Sequence, residues 1–160
     1  MKRFLPLLTI LWLSTILVGC APIRLRQARE ELDAAVAQLP EPQGFEIVTV
    51  IAGEYDRTWY QQRCFYGQAL IAIGTDLPSD EALEAYRQAL EDQNWVVRRE
   101  TEDVISLLRG EHEKITVYRG GSAGIIASDE RYKDAKDRYD TFLFLVQDYL
   151  LPDRVTCVGE

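Results

Sequence analysis

After residue 22, Leu25, Ala28, Leu32, Ala35 and Leu39 recur at alternating steps of three and four, the spacing of one face of an α-helix. Pro22 suits a first helical position, and Arg26 with Glu30 and Arg29 with Asp33 set opposite charges one turn apart. Pro40, Pro42 and Gly44 then break the helix. Two heptads of stripe are fewer than the three or four a coiled coil needs, so the helix either lies on its own domain or stands as a spacer.

Beyond Gly44 the pattern changes to strands. Residues 45–51 form a β-branched run closed by Gly53 and a polar turn, and a second run over 63–75 holds Ala69, Leu70, Ile71, Ala72 and Ile73 in succession. Such an unbroken apolar stretch predicts a strand covered on both faces, with Gly67 as a bulge. The helical period returns over 79–93, where Ala82, Leu83, Tyr86, Ala89 and Leu90 share a face. Ser79 is the expected cap, Asp80 and Glu81 complement the positive end of the dipole, and Asn94 supplies the left-handed exit that lets Trp95 pack back on Leu90. Strands then follow at 95–100, 104–109 and 113–119, joined by short turns that imply antiparallel neighbours. A last run at 141–150 has Phe-Leu-Phe-Leu-Val at its centre, which predicts an inner strand. The fold expected is α+β: a two-layer, mainly antiparallel sheet of about six strands with one principal helix, preceded by a helical spacer.

Two stretches exceed what this scaffold needs. Tyr55, Trp59, Tyr60, Phe65 and Tyr66 crowd into one turn and a strand end, and large rings of this kind carry binding energy at interfaces. Tyr55, Trp59, Tyr60 and Tyr66 are therefore the candidate ligand- or partner-binding residues. The second stretch is the excursion 120–140, which opens Gly120-Gly121-Ser122-Ala123-Gly124. A phosphate loop would place Lys and Ser or Thr after its last glycine, yet Ile125 and Ile126 stand there. A calcium loop would need a central glycine among its oxygen ligands, which 129–140 lacks. That part reads as a solvated helix with Tyr132, Ala135 and Tyr139 on one face.

The start of the chain has its own logic. Lys2 and Arg3 precede a charge-free run from Phe4 to Val18, the outline of a secretory signal and shorter than the roughly 20 residues of a membrane-spanning helix. The run ends in Leu17-Val18-Gly19-Cys20, which resembles the lipobox of bacterial lipoproteins. That resemblance implies a diacylglyceryl group on the Cys20 thiol, cleavage just before it and acylation of the new amino terminus. Several acyl chains anchor firmly where one does not. The implied division is a signal peptide at 1–19, a lipid anchor, helical spacer and linker at 20–44, and an α+β domain at 45–160. The mature protein would face the extracytoplasmic side of a cell membrane. Ala21 resembles the outer-membrane sorting signal of enteric bacteria, a rule that does not extend to every lineage, so inner and outer membrane both stay open.

Charge narrows the partners. The chain carries a formal −8. Removal of 1–19 takes Lys2 and Arg3 and leaves 16 basic against 26 acidic side chains, or −10. Such a surface repels nucleic acid, although Arg24, Arg26 and Arg29 lie close to Cys20 where phospholipid head groups would be. Cys64 and Cys157 are an even pair in a compartment where disulfides persist, so they are expected to bond.

Catalysis has few candidates. His112 is the single histidine, set between Glu111 and Glu113 in a turn, and no Gly-x-Ser-x-Gly elbow occurs. One histidine and two paired cysteines make a poor zinc site, and neither metal nor cofactor is expected. Glu54 with Asp56 is the best carboxylate pair for glycoside chemistry. The reading is a membrane-anchored, non-catalytic binding or assembly module of the cell envelope, its partner an envelope protein or glycan. A lipid-tethered hydrolase acting on an envelope substrate is the alternative.

Overall fold

The most apolar strand takes the middle of the sheet. The structure, a computed structural model, describes residues 23–59, 62–120 and 126–151, and the side chains of 55–65 are outside that description. Helix α1 (residues 23–36) is followed by β1 (Phe45–Trp59), β2 (Gln62–Thr75), α2 (Ser79–Glu91), β3 (Val96–Glu100), β4 (Val104–Arg109) and β5 (Glu113–Arg119). A short 3-10 turn, Ile126–Ser128, then leads to α3 (Glu130–Ala135) and β6 (Thr141–Leu150). The strands form one antiparallel sheet in the order β1-β2-β6-β5-β4-β3. The fold class is therefore α+β. Leu143, Phe144 and Leu145 of β6 are all buried because side chains on both faces need cover.

Register sorts the apolar residues cleanly. Ile71, Ile73, Leu143, Leu145, Ile115, Val117, Ile105 and Leu107 share one face and join Leu32 and Leu39 with Leu83, Tyr86 and Leu90 of α2 in a single core. The stripe foreseen for α1 is thus used on the sheet: Ala28 and Leu32 are fully buried, and Ala35 and Leu39 nearly so. The helix lies on its own domain. Gly67 makes that contact close, since a Cβ there would stand 2.6 Å from the Ala28 carbonyl oxygen and 2.7 Å from Leu32 Cβ. It is not the expected bulge. The register slips instead between Ile47 and Thr49 and between Val97 and Arg99.

Three further local expectations are corrected. β1 does not stop near Gly53 but runs to Trp59, because Gly53 fills a rung opposite Gln68 and the following Tyr, Thr and Trp favour extended backbone. Ser79 does not cap α2: the cap position is Pro78, whose carbonyl already accepts from the Ala82 amide, so Ser79 lies inside the helix. Its exit is as expected, with Asn94 at φ 66° and the Trp95 amide donating to the Leu90 carbonyl.

The third correction is the excursion. Its helix is only Glu130–Ala135, and it packs on the second face of the sheet. Ile126 meets Ala72 and Phe144, while Tyr132 sets its ring 5.1 Å from Phe142 and 5.8 Å from Phe144. Tyr139 lies where a Cβ on Gly74 would be, and its hydroxyl donates to Glu46. Asp129 caps α3 by accepting from the Arg131 amide, and it also accepts from the Thr49 hydroxyl of β1, at 3.0 Å in each case. Its carboxyl is held below the usual range, first by the Arg131 side chain and then by Thr49.

Candidate interaction surface

The longest strands overrun their neighbour. β6 pairs with β2 only from Thr75 to Tyr66, whose partner is Leu150, yet β1 and β2 go on pairing through Asp56↔Phe65, Arg57↔Cys64, Thr58↔Arg63 and Trp59↔Gln62. At about 3.3 Å per residue these four rungs carry a two-stranded arm roughly 13 Å past the end of β6. Among the described residues no third strand flanks the arm. Of the candidate residues, Trp59 holds a rung of this arm, while Tyr55 pairs with the half-buried Tyr66 at its base. The side chains of Tyr55 and Trp59, and the whole of Tyr60, lie outside the described residues. So do Cys20 and Cys157, together with the Cys64 side chain.

The base of the arm is braced by α1. Arg29 donates from Nη1 to the Ala52 carbonyl at 2.7 Å, bonds Asp33 at 2.8 Å and lies 3.8 Å from Glu54. From the opposite face, Arg131 donates from Nη2 to the Val50 carbonyl at 3.3 Å. Two outward carbonyls of an edge strand are thus occupied by guanidinium groups, which blunts that edge against strand addition. Arg29 is committed to the fold rather than offered to head groups, and Arg26 stays exposed beside Glu30 at 3.4 Å. Glu54, proposed with Asp56 as a carboxylate pair, is an ion partner of Arg29; the side chain of Asp56 is not described.

Among the described residues, no helix covers half of the second face. Beyond the reach of α3, Val96 and Tyr118 are exposed large apolar residues, and Ser106 shares a hydrogen bond with Thr116 at 3.1 Å. A polar row crosses three strands beside them, where Gln68 donates to Asp148 at 2.8 Å and Lys114 pairs opposite Asp148. Burial pushes the Asp148 carboxyl up, with the Gln68 hydrogen bond and Lys114 acting against it. The alternation of Lys114, Thr116 and Tyr118 with Ile115 and Val117 was the available signal for this face.

Among the described residues, no catalytic grouping forms around these features. His112 offers its carbonyl to the Leu150 amide at 2.8 Å, and its Nδ1 is buried with no hydrogen-bond partner among the described residues. No cluster of three metal-ligating side chains occurs among the described residues. Gln147, Tyr86 and Trp95 bury side-chain polar atoms that have no partner there either. Among the same residues, no helix is long and apolar enough to cross a membrane. No protein-family model matches the chain, and neither a curated protein nor a solved structure gives a match.

Proposed function

We propose that this chain is a lipid-anchored bacterial lipoprotein that works as a non-catalytic binding or assembly module of the cell envelope, on the extracytoplasmic side, through the aromatic arm. Cys20 carries the lipid, and the body is a sheet with α1 and α2 on one face and α3 on the other. The observation that carries the reading is the arm itself: four rungs of β1 and β2, Trp59 among them, extend past β6 beside Tyr55 at the base. Tyr and Trp dominate binding hot spots, and this stretch is rich in both. Cys64, on the arm, is proposed to bond Cys157 in the tail, because β6 delivers that tail to the base of the arm at Leu150↔Tyr66.

The test is photo-cross-linking in the producing cell. Full-length protein with Trp59 replaced by a photoreactive phenylalanine should give adducts of defined mass, whereas the same group at Ser79, away from the arm, should give none. Equal adducts at both positions, or none at Trp59, would contradict the reading.

A further inference from the structure

We infer that the half of the second face formed by β3, β4 and β5 is a docking surface for an acidic amphipathic helix of a partner protein, separate from the arm. Register builds the surface. Val96, Leu108 and Lys114 lie opposite one another across the three strands, Arg99, Ser106 and Thr116 form the next row, and Val104 faces Tyr118 in the third. Thr116 then pairs with Val146 and Tyr118 with Phe144, and Phe144 belongs to the cluster under α3. All three rows therefore lie on the face that α3 covers only in part.

The apolar side chains here are contiguous. Val96 and Tyr118 are 57% and 39% exposed, and Leu108, Val104 and Val146 beside them are only half-buried. A sheet face is ordinarily covered by a second layer, and on the neighbouring half Ile126 and Tyr132 supply it by packing on Ala72, Phe142 and Phe144. A contiguous apolar patch with a polar rim marks a protein contact. The rows extend about 13 Å along the strands and about 10 Å across them, which is room for a helix of about three turns. Addition of a strand at the β3 edge is the poorer fit, because the slip between Val97 and Arg99 interrupts that edge.

Charge selects the occupant. Among the described residues Arg87 faces Glu84 and Glu91, Arg109 faces Glu113, and Arg119 faces Asp80, Glu102 and Asp103, whereas no ion pair holds Arg99 or Lys114. The carboxylate that ends the first row, Asp148, is half-buried and bonded to Gln68. The surface is thus locally positive in a chain of net −8. A second copy would set two positive faces against each other, and an anionic polysaccharide would meet the cations but leave Val96, Leu108 and Val104 bare. A helix with an apolar stripe flanked by Asp or Glu matches both features.

The test places a photoreactive phenylalanine at Val96 or at Tyr118 of the full-length protein in the producing cell. Both positions should give an adduct of the same mass. Sequencing of the cross-linked peptides should put them in one segment of one protein, no more than about three turns apart, with apolar residues at helical spacing and an excess of Asp and Glu. Arg99→Glu with Lys114→Glu should lower both yields by about tenfold and leave Tm unchanged. Arg99→Gln with Lys114→Gln should lower them less, and it carries the same test if the double charge reversal lowers Tm. Adducts between two copies of this chain, adducts within one chain, attachment to lipid or glycan, no adduct at either position, or yields indifferent to both double variants would overturn the inference. Adducts at Trp59 report on the arm alone, so loss of one surface leaves the other standing.

Discussion

Gly67→Ala tests whether α1 is docked on the sheet. The added methyl would sit 2.6 Å from the backbone oxygen of Ala28 and 2.7 Å from Leu32 Cβ. Neither atom belongs to the free end of a side chain, so the helix must shift by nearly 1 Å to restore ordinary contact. Overpacking of this kind costs about 1–3 kcal/mol. For a domain of this size each kcal/mol moves Tm by roughly 3–4 °C, so a loss of about 3–12 °C is expected. Circular dichroism melts would give the shift, and hydrogen exchange would locate it: amides of 23–39 should exchange faster while those of β5 and β6 keep their protection. Unchanged Tm and unchanged exchange over 23–39 would refute the docked helix.

Other perturbations read other parts of the structure. Asp148 has a carboxyl pushed up by burial, so it costs stability when ionised: the loss is absent below the unfolded value of about 3.9 and complete once pH passes the folded one. Asp148→Asn should therefore gain on wild type as pH rises through that window in urea melts, and parallel curves would contradict it. Gln147→Leu removes a fully buried amide with no partner among the described residues and should stabilise by about 1–2 kcal/mol; a lower Tm would mean that the amide is bonded. Reduction should lower Tm if Cys64 and Cys157 are joined, since a loop of about 90 residues is worth roughly 4 kcal/mol in the chain-entropy account. Two free thiols in unreduced protein would rule the bond out.

What could be read from the chain was whatever repeats with a short period. The α1 stripe, the left-handed Asn94 and the double-faced burial of β2 and β6 all follow from neighbours along the sequence, and each is in the structure. The misreadings came from contacts distant in sequence. Gly53 looks like a turn until Gln68 is set opposite it, and Gly67 looks like a bulge until α1 is laid over it. The charges of 129–140 suggest a solvated helix, whereas Thr49, Glu46, Phe142 and Phe144 hold that segment on the sheet. Arg29 was grouped with the basic residues near Cys20, and only the fold brings it to the Ala52 carbonyl. The candidate rings fared differently: their clustering was plain in the sequence, but the arm that carries them needed the pairing of β1 and β2.

The central proposal is that a lipid on Cys20 ties this domain to a membrane, and mass spectrometry of membrane-extracted protein tests it most directly. The account predicts an amino-terminal peptide that begins at Cys20 and carries a diacylglyceryl group, with Cys20→Ala protein left unprocessed. A peptide that begins at Met1, an unmodified Cys20, or cleavage at the same bond in Cys20→Ala protein would contradict it.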